Sequence, residues 1–370
     1  MPTTPNAQNP SDDADTPDPG TTEADTTETT NPTGTTDPTE TAKAGTKTGT
    51  SLLTRKADRI DRLAELMGPR DDGSGGAGIW RTAFRRLRRS PMAISGAVIV
   101  AVFILIALFS PLIAPYSATA QTWGSEVFPN QNIFVGPRAE NWLGLDNLGR
   151  DQFSRMVIGA RQTLLVGVVA TLVGFGVGAL LGGTAGAAAT LGGRWGRTLD
   201  NAIMRVIDMM LALPTLLLAV TVAALIGASL TTVMLAVGIA QVPIFARLLR
   251  GAMIAQGNRD YVLAARALGV RKHKIALSHI LPNSLGPVIV QSTLTLATAI
   301  IDAAALSYLG LGNPDPSYPE WGTMLADAQR FLSSAPQLAV YPALGIIITA
   351  LGFTLLGEAM REALDPKLRK

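Results

Sequence analysis

Few residues in this chain have the type and spacing for covalent chemistry. Cysteine is absent, which excludes thiolate nucleophiles, thiolate metal sites and disulfides. The two histidines, His273 and His279, fall in one short basic segment and read as ordinary surface or interface residues. There is no Gly-Lys-Ser/Thr phosphate loop, no His-Glu-x-x-His and no Gly-x-Ser-x-Gly, so the chain shows no recognisable means of hydrolysing ATP by itself. What remains is mechanical. The segment Asp260–Asn283, DYVLAARALGVRKHKIALSHILPN, is a basic stretch between two strongly apolar runs. Ala264, Ala265 and Ala267 give its first half a small-residue helical face, and Gly269 can end that helix because glycine accepts a left-handed backbone without steric cost. A second helical stretch is expected to follow and to stop at Pro282. The predicted product is a helix–turn–helix finger at a membrane surface, shaped for a soluble partner to grip and move.

The elements that hold this finger are apolar spans. A bilayer core takes about 20 apolar residues as a helix. Six stretches qualify, near Met92–Pro115, Thr163–Ala189, Ile203–Gly227, Leu230–Phe245, Ser284–Leu309 and Leu338–Leu356. The fourth is short and contains Pro243, whose freed carbonyl neighbouring helices would have to satisfy. Basic residues recur in alternate loops: Arg81 to Arg89 before the first span, Arg194 and Arg197 after the second, Arg247 to Lys274 after the fourth, and Arg361 to Lys370 after the sixth. By the positive-inside rule both termini and the finger face the cytoplasm, and the long loops Tyr116–Arg161 and Gly310–Gln337 face outward. The first apolar run is too long, and begins too far into the chain, for a cleaved signal peptide; it is expected to be a retained anchor.

The remaining organisation divides as 1–74, a disordered Thr/Pro-rich tail and linker; 75–160, the anchor and outward segment; and 161–370, a membrane core with the finger loop at 258–283. Met1–Thr50 carries nine acidic and two basic residues and almost nothing apolar, so it cannot offset its ordering entropy. The rest of the chain is left with a net charge of +10. Those bases are split among membrane-adjacent loops and form no single face, which argues against nucleic acid. Residues 51–68 read either as an amphipathic helix on the inner membrane surface or as a frayed linker helix.

Within the core, Gly174, Gly178, Gly182 and Gly186 recur every fourth residue and predict a groove for close helix approach. Asp208 is expected to pair with Arg205 or with neighbouring loops. Asp302, in the fifth span, either lines an aqueous path or pairs with another helix. Pro214 and Pro243 are expected to kink the third and fourth spans, and Gln241, Gln291 and Thr295 are further path-lining candidates.

Several pieces, in this order, resemble one family. Ala264-Ala265, Gly269 and then Leu281-Pro282 are similar to the "EAA loop" of ABC-importer permeases, and His279-Ile-Leu-Pro-Asn283 resembles its dipeptide/oligopeptide branch. Trp142-Leu-Gly-Leu-Asp-Asn-Leu-Gly-Arg-Asp151, with Gly144 and Gly149 for tight turns and Asp151 to cap the next helix, resembles the segment before the second span of C-type peptide permeases. Met204 to Asp208, Leu306 to Gly312, Trp321 to Met324 and Leu364 to Arg369 agree. Leu263 replaces the glutamate that names the loop, Val270-Arg271 stands where a Ser or Thr cap is common, and the acid is Asp302 where the family often has one at the position of Ala303.

The resemblance implies an all-α polytopic protein of six transmembrane helices in a bacterial cell membrane. It would be half of a permease heterodimer completed by a second, related subunit. Two ATP-binding subunits carrying ATP and Mg would dock on the finger, and an extracellular binding protein would deliver peptide. The chain itself would bind no cofactor or metal and catalyse nothing. The ATPase-coupling residues implied are Tyr261, Ala264, Ala265, Arg266, Gly269, Arg271, Lys272 and Pro282. The rivals are import of another solute, such as a nickel chelate, by the same architecture, and a non-transport membrane scaffold or sensor.

Overall fold

The computed structural model describes residues 84–127, 134–315 and 318–364. The expected tail, linker and surface helix within 1–74 lie outside the described residues, as do Lys367, Arg369 and Lys370. Among the described residues the regular structure is helical. Five of these helices are long and apolar enough to cross a membrane, and a bent pair makes six if it is counted as one span.

The first helix, α1 (Pro91–Leu108), starts where Ser90 accepts a hydrogen bond from the Ala93 amide and Pro91 opens the first turn. Helix α2 (Gln152–Leu191) has 40 residues, about 60 Å, and begins well before the expected Thr163. As predicted, Asp151 caps it, accepting from the Ser154 amide at 2.7 Å, and Gly144 and Gly149 occupy the left-handed region at φ +78 and +72.

The third predicted span is not straight. It breaks into α3 (Gly193–Leu211) and α4 (Thr215–Ile226), bent by 93°. Pro214 is the cause: it has no amide hydrogen and pushes Leu213 out of helical geometry. Helix α3 is strongly amphipathic and α4 is apolar throughout, so a hydropathy average over both conceals the corner.

Helix α5 (Leu230–Gly257) continues through Pro243 and about three turns past the expected Phe245. The glycine groove of α2 receives it, as the four-residue register predicts. A Cβ on Gly174 would stand 3.0 Å from the Gly238 carbonyl oxygen, one on Gly178 would stand 2.8 Å from that of Val242, and one on Gly186 would stand 2.9 Å from Met253 Cβ. The α2–α5 pair is the spine of the bundle. Helix α6 (Asp260–Ala267) follows, then a continuous helical run from Lys272 into α7 (Leu281–Tyr308), the short α8 (Trp321–Ala328), and α9 (Gln337–Leu364). Phe103 of α1, Trp321 of α8 and Phe353 of α9 stack together, at 5.5 and 6.4 Å between ring centroids, and tie the outer helices to the spine.

Candidate coupling site

The finger is built as the sequence predicts at its turn and differently beyond it. Helix α6 ends in a reciprocal pair of hydrogen bonds, from the Gly269 amide to the Arg266 carbonyl and from the Val270 amide to the Ala265 carbonyl. This closure needs the left-handed residue that Gly269 provides at φ +73. Val270 and Ala265 then join one apolar cluster. The second arm starts at Lys272 with no side-chain cap. It does not stop at Pro282, contrary to expectation. Residues Ile275–Ile280 wind as a π-helix, and Pro282 sits in the first turn of α7. The widened turn accommodates the proline, and side chains satisfy the nearby carbonyls: Asn283 Nδ2 donates to His279 O at 2.7 Å and Ser284 Oγ to Ile280 O at 2.8 Å.

Packing sorts the predicted coupling residues into two sets. Val262, Ala265, Ile275 and Ile280 turn inward onto Phe245, Leu249, Met253 and Val288. Ala265 is therefore a core residue of this chain, and only Ala264 of the alanine pair is exposed. The exposed surface carries Leu263, Ala264, Gly269 and, at 83% and 63% exposure, Leu268 and Leu277, rimmed by Arg271, Lys272 and Lys274. Tyr261 donates its hydroxyl to Gln256 Oε1 at 3.0 Å, with His279 O at 3.4 Å, and so bridges the two arms. Arg266 points at its own bundle. Its guanidinium donates to the Thr190 carbonyl at 3.1 Å, on the last turn of α2, where the helix dipole favours a cation. Pro282 is exposed at the base of the finger.

Above the finger, α5 is bound to α3 by Arg250, which donates to both oxygens of the buried Asp200, and by Arg247, which pairs with Asp208. Arg205 is thus not the partner of Asp208. Arg247 also lines an open cleft of about 630 Å³ with Leu211, Leu248, Pro287 and Gln291. Of the four predicted path-lining residues, this cleft contains Gln291 alone. Gln241 is buried on the α2–α5 contact against Gly174, and Thr295 is buried and accepts from Gln291 Nε2 at 3.3 Å. Asp302 is half-buried further along α7 and has no ion pair among the described residues.

The far end of α2 holds polar residues that sequence reasoning passed over. Asp146 accepts from Arg150 Nε at 2.6 Å, from the Leu148 and Arg150 amides at 2.9 Å, and pairs with Arg155 at 3.4 Å. Arg155 also donates to Ala118 O at 3.0 Å, and Asn141 Nδ2 to Asp151 Oδ1 at 2.9 Å. The i,i+4 spacing of Asp146 and Arg150 was the available signal. Nearby, Glu320 accepts from Ser307 Oγ at 2.9 Å while its Oε2 is buried without a partner among the described residues. Burial pushes the Glu320 carboxyl up to about 7, against a smaller opposing pull from Ser307. Among the described residues no group of three His, Asp or Glu side chains is placed to hold a metal ion.

The described residues thus form a helical bundle in which α2 and α5 approach closely and a basic finger exposes leucines. Residues 174–370 match the family described as binding-protein-dependent transport system inner membrane component, and residues 78–132 match the N-terminal transmembrane domain of oligopeptide transport permease C. The chain belongs to this family: it is a multi-pass permease subunit of an ABC importer. It is 44% identical, over 81% of its length and 94% of the relative's, to the dipeptide transport system permease protein DppC of Alkalihalophilus pseudofirmus. It is 41% identical, over 78% and 91%, to the glutathione transport system permease protein GsiD of Escherichia coli. The MetNI methionine ABC transporter, in inward-facing conformations, overlays with a TM-score of 0.48 at 18% identity, covering 58% of this chain and 97% of that one.

Proposed function

We infer that this chain imports short peptides as one half of a permease pair in a bacterial cell membrane. A related second subunit completes the path, two ATPase subunits grip the finger from the cytoplasm, and an extracellular binding protein delivers peptide to the face around Glu320 and Asp146. Both termini lie in the cytoplasm. ATP and Mg belong to the ATPase subunits.

One observation carries this reading: Leu268, next to the Gly269 turn, is a large apolar side chain 83% exposed at the tip of a finger whose other face is locked into the bundle. A leucine so placed, on a finger that also exposes Leu263 and Leu277 and carries Arg271, Lys272 and Lys274, offers a contact surface to a second protein. The motion then has a route. Closing of the ATPases displaces the tip, Val262, Ala265 and Ile275 press on α5, and Arg266 pulls on the end of α2. ATP biases the two access states only because the ATPases bind the two finger positions unequally.

Replacing Gly269 with valine forces a β-branched residue into left-handed backbone, at a cost of about 1–2 kcal/mol or more. The expected outcome is a Gly269→Val protein that inserts normally, while peptide-stimulated ATPase activity of the assembled complex falls severalfold. Wild-type stimulation would refute the coupling role. Uptake of labelled dipeptides, and not of nickel chelates, by the complete complex tests the substrate class.

A further inference from the structure

The segment entering α1 and the last turns of α9 enclose an open cavity of about 550 Å³. Arg85, Arg86, Arg89 and Ser90 line one side, and Ala359 and Glu362 the other. Three guanidiniums therefore share one space with a single carboxylate. Among the described residues none of the three takes part in an ion pair. The neighbouring charges are already engaged: Glu358 pairs with Arg361 at 3.7 Å, and Arg88 stacks on Phe84 at 5.3 Å. Such a concentration of like charge is unfavourable until an anion enters it, and guanidinium forks match phosphate oxygens. The positive end of α1 opens onto the same cavity and adds to the attraction.

Where the cavity stands along α1 decides which phosphate. Ile94, Val98, Val102 and Leu105 form one stripe on the helix, each about half exposed. It starts about one turn inside the arginines and runs about 16 Å, which is half the hydrocarbon thickness of a bilayer. The stripe lies on the side of α1 away from α9, which Gly96, Val100 and Phe103 meet, and is the lipid-facing side of the helix; the arginines therefore stand at the level where phospholipid headgroups border the hydrocarbon.

We propose that Arg85, Arg86 and Arg89 bind the phosphate of an anionic phospholipid at the bilayer surface where α1 enters it. This rests on the reading that places this end of the bundle at the cytoplasmic surface. The lipid would fasten α1 to α9 at the level where the finger is driven, with the transport step left to the α2–α5 spine.

The test uses the assembled transporter in nanodiscs of phosphatidylcholine with phosphatidylglycerol as the minor lipid, followed by native mass spectrometry of the complex released from the disc. The wild type is expected to retain phosphatidylglycerol about tenfold over its share in the disc. Substituting R85Q, R86Q and R89Q together is expected to abolish the enrichment, while R194Q with R197Q, which removes basic charge outside this cavity, preserves it. Equal retention by the triple variant would overturn the proposal. So would displacement of the lipid by inorganic phosphate at millimolar concentration, because the site would then hold free phosphate. A Leu268→Cys label on the same protein, scored for sidedness in membrane vesicles, reports separately on orientation. Labelling from the exterior would sink the cytoplasmic assignment while the lipid count still tests the site.

Discussion

The two ends of α2 are held in opposite ways. At its start, Asp146, Arg150, Arg155 and Asp151 are buried, bonded to one another and cross-linked through hydrogen bonds to two further stretches of chain, at Asn141 and Ala118. At its finish, the finger meets it through one guanidinium on one carbonyl, Arg266 to Thr190, beside apolar packing. Buried, multiply bonded charges are costly to rearrange, because any partner left alone is an uncompensated charge in a poor solvent. An arginine on an exposed carbonyl, with leucines around it, can shift by an ångström for little. The far end is a clamp and the finger end is a joint. In the coupling we propose, that division suits a rod that transmits displacement without coming loose.

The contrast can be broken most directly at the clamp. Replacing Asp146 with alanine leaves Arg150 and Arg155 facing each other without their shared carboxylate. The expected loss is about 3–5 kcal/mol, seen as failure to accumulate in the membrane or a steep fall in detergent melting temperature. A mild effect would mean that the charges are hydrated and the clamp is weak.

A smaller effect is expected at the joint. Gly257 lies against Thr190, and a Cβ there would overlap the threonine methyl. The methyl cannot swing away freely, because Thr190 Oγ1 donates to Gly186 O at 2.6 Å. Gly257→Ala should therefore push the end of α2 from α5, cost about 1–3 kcal/mol, and lower transport per ATP hydrolysed. Thr190→Ser keeps the hydroxyl and removes the methyl, so the double variant should recover coupling. Absence of rescue would show that α2 is not part of the drive.

The smallest expected effect is a pH dependence at the clamp end. The Glu320 carboxyl is raised in the folded protein to about 7 from an ordinary 4.5. The folded state therefore holds this proton more tightly than the unfolded state does. Stability is full below about 4.5, declines as pH rises toward 7, and levels off above it. Melting curves of the wild type should fall between pH 5 and 8, and Glu320→Gln should flatten that fall. An unchanged slope would place the titration elsewhere.

Legibility in the sequence followed how local each cause is. The Gly269 closure, the Asp151 cap and the glycine register of α2 depend on residue type and spacing within a few turns, and each is realised. At Pro214 a kink was legible but a corner of 93° was not, because α3 and α4 average to one apolar span. The stop at Pro282 failed because a π-turn absorbed what an α-helix could not. The inward turn of Ala265 and the reach of Arg266 to Thr190 depend on how α6 lies against α2 and α5, across 76 residues of sequence in the second case. No local pattern encodes that.

A cysteine at Leu268 offers the most direct measurement, because the chain has no other. In membrane vesicles carrying the complete transporter, a membrane-impermeant maleimide should reach Leu268→Cys only from the cytoplasmic side. Bound ATPase subunits should protect it, and stripping them should restore labelling. A thiol that reacts from the exterior, or reacts equally with the ATPases bound and removed, would contradict a finger gripped at its leucine tip.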